Sequence, residues 1–354
     1  MKKSQSGAGA VAWMHRHLLW LLLSAYVVAG LAPDLGLAIR GVGLGSVEAF
    51  GTSTQVSLPL LLLGFLLFNA GLGVRADRLR GLVRDPRLLL LGLGANVLVP
   101  IAFLHGIAPA LGLWHDSSEV QSILIGIALV AAMPIAGSST SWSQHGEGDL
   151  ALSLGLVLFS TVLSPWTTPL VLKAVTPLLA PEYADAVRAF GGESTGLLLG
   201  LFVMLPALLG VAVGSACGKD GFSPIRSWLK LLNSIVLLVL VYANASAALP
   251  ESMANPDVDF LLLALAVVAS LCVIAFATGR LLGKLTSAEK SQETALMFGL
   301  GMNNNGTGLV IASVVLAAHP RVMLPILIYN LVQHLVAGTV TWLRRPPSAH
   351  FAHS

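Results

Sequence analysis

Apolar residues run along this chain in long blocks separated by short polar stretches. A helix that crosses a bilayer needs about 17–25 predominantly apolar residues. Blocks of that kind predict helices near 17–32, 54–74, 86–108, 120–145, 149–179, 193–216, 226–249, 258–283, 291–318 and 321–343. The intervening Pro33-Asp34, Arg75–Pro86, Trp114–Glu119, Pro181–Arg188, Lys219–Pro224, Pro250–Asp259 and Arg280–Lys290 carry turn formers or charges. The expected fold class is therefore an all-α polytopic membrane protein with about ten transmembrane helices.

Two of the blocks are interrupted. Gly299–Gly308 sets three consecutive amides, Asn303–Asn305, and four glycines between the apolar runs Thr294–Phe298 and Leu309–Ala318. Pro134-Ile135-Ala136-Gly137-Ser138-Ser139-Thr140-Ser141 breaks the fourth block in a similar way. Irregular backbone at membrane depth is tolerated only where it is buried in protein or lines a wet cavity. Ten helices divide into two sets of five. An odd-numbered repeat inserts in opposite orientations, so a 5+5 inverted repeat is expected, about 17–180 and 190–343. The interruptions then fall in helices 4 and 9, at matching places. Phe68-Asn69-Ala70-Gly71 and Tyr242-Ala243-Asn244-Ala245 are a fainter echo between the halves. Paired broken helices mark the binding site of a secondary transporter.

Composition agrees with a membrane class: 55% of residues are hydrophobic, 10% are charged and mean hydropathy is +0.82, against about 25% charged in soluble domains. Lys2, Lys3 and Arg16 before Leu18–Leu31 imitate a signal peptide, but the chain stays hydrophobic afterwards, so this block is expected to be the first span. With residues 1–16 as a cytoplasmic tail, sixteen of the twenty Lys and Arg fall on the cytoplasmic side. Arg40, Lys173, Arg188 and Arg321 fall outside, the bias that positive-inside insertion produces. Both termini are thus expected in the cytoplasm, with 344–354 a second tail, and a bacterial inner (plasma) membrane is the expected location. The net charge of +3 is small and gives no reason to expect nucleic acid as a partner.

The chemistry-bearing residues exclude several classes. Cys217 and Cys272 form no disulfide framework, no His/Cys cluster predicts a transition-metal site, and no phosphate-binding Gly-rich loop supports ATP drive. Ser139 has His145 nearby but no third partner, so no enzyme and no cofactor are expected. Unwound carbonyls beside amide and hydroxyl oxygens suit a hard cation such as Na⁺, while half-helix N-termini suit an anion.

Three stretches carry a resemblance. They are Phe68–Pro100, with Gly71-Leu72, Arg87–Gly92 and Ala95-Asn96; Met133–Pro169, with Gly148–Ser153 and Ser160–Pro169; and Gly301-Met302-Asn303-Asn304. In order and spacing the chain resembles the bile acid:sodium symporters, including their bacterial and plastid relatives. The resemblance implies a panel and a core domain, broken helices 4 and 9 crossing at mid-membrane, two sodium ions behind the crossing and an organic anion in front. Carried over by position, the implied sodium ligands are Ser139, Thr140, Ser153, Asn96, Asn303 and Asn304, with the carbonyls of Leu300 and Met302. Gly137, Ser138, Asn305 and Thr307 are the implied substrate contacts. Where the family has a glutamate shared by both sodium sites, this chain has Gly299 or Phe298; the nearest carboxylate is Glu293, and Val157 replaces a threonine ligand. The expected function is secondary transport of a small organic anion coupled to Na⁺ in a lipid bilayer. A proton-coupled or uncoupled facilitator, and a channel or sensor of the same fold, remain as alternatives.

Overall fold

The protein is represented by a computed structural model that describes residues 9, 13–14, 17–49, 52–74, 86–190, 193–217, 225–316 and 319–344. The expected tails, the Arg75–Pro86 loop and the Lys219–Pro224 loop lie almost wholly outside the described residues. Helix occupies each hydrophobic block: α1 (Leu18–Leu31), α3 (Leu58–Leu72), α4 (Arg87–Leu111), α5 (Ser117–Ala132), α6 (Ser138–His145) and α7 (Leu150–Val175) in the first half. Between α1 and α3 lies the short α2 (Asp34–Gly41), bent by 92° from α1 at Pro33. In the second half come α8 (Pro181–Phe190), α9 (Glu193–Leu199), α10 (Leu205–Cys217), α11 (Arg226–Ala245), α12 (Leu249–Ala254), α13 (Val258–Leu285), α14 (Lys290–Gly301), α15 (Asn305–Val315) and α16 (Met323–Leu343). Among the described residues six helices are long and apolar enough to cross a membrane unaided; α3 and α5 are apolar but shorter. The protein is an all-α membrane protein in its spanning part.

The short helices α8 and α12 fall in the expected connectors Pro181–Arg188 and Pro250–Asp259, and one expected span starts late. Residues 54–57 do not begin a span. They belong to an antiparallel hairpin, β1 (Gly43–Ala49) with β2 (Thr52–Ser57), and α3 starts only at Leu58 with Pro59 in its first turn. Val47 and Val56 are β-branched residues of the kind that pack well on a pleated ribbon.

Helix starts are set locally. Asp116 accepts from the Ser118 and Glu119 amides, Asp149 from Ala151 and Leu152, and Asp257 from Phe260, capping α5, α7 and α13. Glu289 and Gln292 form a capping box for α14. Helix pairs meet through small residues, as lipid-embedded helices do. A Cβ added at Gly279 of α13 would sit 2.5 Å from Met297 Cα, so this glycine sets the α13–α14 separation. Added Cβ atoms at Gly71 and Gly210 would likewise lie 2.2 Å from the Ala207 carbonyl and 2.1 Å from the Phe68 carbonyl, which brings α3 against α10.

Candidate functional site

The two interruptions meet. Ile135 and Asn303 form an antiparallel bridge, in which the Ala136 N–H donates to the Met302 carbonyl (2.9 Å) and the Asn304 N–H donates to the Pro134 carbonyl (2.8 Å). Each break therefore supplies the backbone partners that the other has lost. This is the arrangement that a low-dielectric interior demands, since an unpaired buried backbone group costs about 1–3 kcal/mol.

Side chains complete the pairing. Pro134 has no N–H to give to the Val130 carbonyl one turn back. That carbonyl receives the Asn303 Nδ2 (3.1 Å) and the Met133 N–H (3.2 Å). The Ala132 carbonyl, deprived of Ala136, receives the Thr168 hydroxyl at 2.6 Å. Ser160 accepts from the Ile135 N–H (3.0 Å) and donates to the Val157 carbonyl (3.1 Å). On the other strand the Asn303 N–H donates to Gln333 Oε1 (3.0 Å), Gln333 Nε2 to Asn330 Oδ1 (3.2 Å), and Asn330 Nδ2 to the Tyr26 hydroxyl (2.9 Å). The Gly301 carbonyl receives Tyr329 (3.4 Å) and the Cys272 thiol (3.8 Å).

The predicted residues take distinct places around this knot. Ser139 is fully buried at the start of α6, and its hydroxyl has no partner among the described residues. Ser153 donates to the Thr140 hydroxyl at 3.2 Å, tying α7 to α6. Asn96 is buried and lines a cavity of about 20 Å³ with Ala131, Met133, Pro134, Ser160 and Thr167. That volume holds one water-sized occupant. Asn303 keeps one buried, unpartnered oxygen. The Met302 carbonyl is already used by Ala136, whereas the Leu300 carbonyl has lost its helical donor, Asn304, to Pro134. Asn304 Oδ1 caps α15 by accepting from the Thr307 N–H (3.3 Å), so this oxygen has a structural duty.

The implied substrate residues separate into two settings. Gly137 is exposed and Ser138 half-buried, with Gly137 beside Ala70 of α3. Asn305 and Thr307 are fully buried, and their side-chain amide and hydroxyl have no partners among the described residues. Asn69 and Asn244 add further unpartnered buried amide atoms. Asn244 lies one helical turn beyond Leu240, the residue nearest to Gly306 on α11, and so on the same face. Gln333, Asn330, Ser160 and Thr168 were visible only as scattered polar residues in apolar runs; their partners are far away in sequence.

The electrostatics have two signs. α6 and α15 start at the crossing, and α5 and α14 end there, so two partial positive and two partial negative helix ends share one small volume. Among the described residues, no side-chain carboxylate bonds to the atoms of either break. Glu293 sits near the far end of α14, where Arg344 binds it closely and Arg280 Nε lies 3.9 Å away; Arg344 also donates to Thr294.

A profile of the sodium bile acid symporter family matches residues 60–252, more than half of the chain. The chain belongs to the sodium bile acid symporter family. This is a family of transporters, not enzymes. Among Bacillus subtilis (strain 168) proteins, the uncharacterized protein YbaS is 25% identical over 278 residues, 77% of this chain and 84% of YbaS. The uncharacterized sodium-dependent transporter YocS is 26% identical over 282 residues, 79% of this chain and 80% of its own. A rice protein, the probable sodium/metabolite cotransporter BASS2, chloroplastic, is 25% identical over 252 residues, 71% of this chain and 55% of that protein. The matched region includes the first break and Asn96; the second break lies beyond the family match.

Proposed function

We propose that the protein is a sodium-coupled secondary transporter of a small organic anion. Its ten spanning helices are arranged as a 5+5 inverted repeat of residues 17–343, with panel and core domains. The carrying observation is the crossing of the two broken helices with unpartnered polar atoms of Ser139, Asn303, Asn305 and Thr307 buried around it. A fold leaves buried oxygens and amides unpaired at a cost of about 1–3 kcal/mol each, which a ligand can relieve. Na⁺ suits the oxygen-rich side with Ser139, Thr140, Ser153, Asn96 and the Leu300 carbonyl. An organic anion suits the N-termini of α6 and α15, near Gly137, Ser138, Asn305 and Thr307. The relatives named as a sodium-dependent transporter and a probable sodium/metabolite cotransporter support this reading. Both termini are assigned to the cytoplasmic side of a bacterial inner membrane.

The test is uptake by proteoliposomes in matched sodium and choline buffers. The anion is found first by thermal-shift screening of the purified protein, because a ligand that binds only the folded state raises its melting temperature. Sodium-dependent, saturable uptake that falls in Asn96→Ala is expected. Equal uptake in the two buffers would end the sodium assignment while leaving transport standing. The alternative of uncoupled transport is favoured by one observation: Glu293, the carboxylate nearest in sequence to the second break, is bound by Arg344.

A further inference from the structure

The unpaired polar atoms near the second break are not all on the break itself. Asn244 stands on α11, and both its Nδ2 and its Oδ1 are buried without a partner among the described residues. The residue is 1% exposed, so neither water nor lipid serves it. The rest of the helix fixes its direction. Tyr242 and Ser246 face α2, because a Cβ added at Gly36 would sit 3.2 Å from Tyr242 Cε1 and 2.1 Å from Ser246 Oγ. Asn244 is two residues from each, which at 3.6 residues per turn puts it on the opposite side of α11. That side carries Leu240, whose Cδ2 lies 3.9 Å from a Cβ added at Gly306 in the first turn of α15. Asn305 and Thr307, in the same turn, hold three more buried atoms without partners.

We propose that Asn244 lines the transport path and binds the acidic group of the translocated organic anion from the side of α11. This rests on the transport reading above. A structural amide in a membrane helix bonds a neighbouring helix. Asn303 and Gln333 do so, through the Val130 carbonyl and the Asn303 N–H. Asn244 bonds nothing, although both its donor and its acceptor are out of reach of solvent. Such a group weakens the fold unless a ligand completes it. Nδ2 donates to an acid oxygen, and Oδ1 is left for a hydrogen-bond donor on the same molecule. A neutral amide also holds an anion less firmly than a Lys or Arg would, which lets the anion leave.

The two breaks differ in access. Gly137, at the start of α6, is exposed, whereas Asn305, at the start of α15, is as buried as Asn244. Two contacts tie the far end of α15 to its neighbours. Arg40 of α2 donates to the Ser313 carbonyl (3.5 Å), and the ring of Tyr183 of α8 lies 4.8 Å from that of His319 just beyond α15. The structure is thus closed over Asn244, and the anion reaches this residue when α11 and α15 part.

The full-length protein in detergent is tested with thiol reagents. Asn244→Cys and, for comparison, Ala243→Cys are made in a Cys217→Ser background, where the remaining Cys272 is buried. Ala243 is as buried as Asn244 but lies on another face of α11. The probes are the anionic sulfonatoethyl methanethiosulfonate and its cationic trimethylammonium counterpart, each rate being divided by that with free mercaptoethanol. An opening path exposes Asn244→Cys in a minor state, whereas Ala243→Cys is exposed only by unfolding. The anionic reagent should therefore react about tenfold or more faster with Asn244→Cys than with Ala243→Cys, and faster than the cationic one. Equal rates in the two variants, or no preference for the anionic reagent, would overturn the proposal. Asn244→Leu removes two unpaired atoms, so its melting temperature should equal or exceed that of the parent; a lower one would show that the amide holds the fold, and would overturn the proposal too. None of these readings uses transport, so they stand or fall separately from the uptake assay.

Discussion

Gln333 is the residue on which the geometry of the second break most directly depends. It is 2% exposed, accepts from the Asn303 N–H at 3.0 Å, and donates to Asn330 Oδ1 at 3.2 Å. Gln333→Met keeps length and volume but removes both polar atoms. The Asn303 N–H then stays buried without an acceptor, costing about 1–3 kcal/mol, and the bond to Asn330 is lost, a further ~0.5–1.5 kcal/mol. The two effects together give about 2–4 kcal/mol. With ~2.1 cal/mol/K of unfolding entropy per residue, 354 residues convert this to a fall in melting temperature of about 3–5 °C. Thermal unfolding of the detergent-purified protein reads it. Tyr26→Phe removes only the far acceptor of the chain and should fall by a smaller amount in the same assay. Transport should fall in Gln333→Met as well, because Asn303 no longer has its backbone fixed. A Gln333→Met protein with parental melting temperature and full uptake would refute the view that Gln333 holds the break.

Three further outcomes follow from the same atoms. Ser139→Ala removes a buried hydroxyl that has no partner. It should leave the melting temperature unchanged or raised while sodium-dependent uptake falls, and undiminished uptake would remove Ser139 from the ion site. Thr168→Val is isosteric but takes the donor from the Ala132 carbonyl, so a loss of about 1–3 kcal/mol is expected in unfolding experiments, without any change of ion selectivity. Gly279→Ala drives a methyl group into the Met297 and Leu296 backbone of α14; overpacking of this kind costs about 1–3 kcal/mol or more, and a parental melting temperature would show that the close approach of α13 and α14 does not depend on this glycine.

Much of the molecule was legible in the residues. Each apolar block carries helix because hydrophobic length and polar caps such as Asp116, Asp149 and Asp257 are local properties. The two breaks were equally legible. Pro134 cannot donate, and Asn303–Asn305 cannot face lipid, so neither stretch can continue a helix in hydrocarbon. Residues 54–57, the end of the hairpin, read as the start of a span because a long apolar run follows them directly. The hairpin's signal was the alternation of β-branched Thr52, Thr54 and Val56, which a window set for spans averages away.

Which atoms repair the breaks was decided only by tertiary structure. The interruptions show in the sequence, but not that Asn303, Thr168, Asn304 and Ala136 would satisfy the carbonyls of Val130, Ala132, Pro134 and Met302. Nor could it show that Asn304 caps a helix, that the Met302 carbonyl is already paired, or that Glu293 is held by Arg344. Hydrophobicity and helix breaking act over a few neighbouring residues and are written in order along the chain. The partners of an interrupted backbone are chosen by three-dimensional proximity, and here they lie up to 173 residues apart.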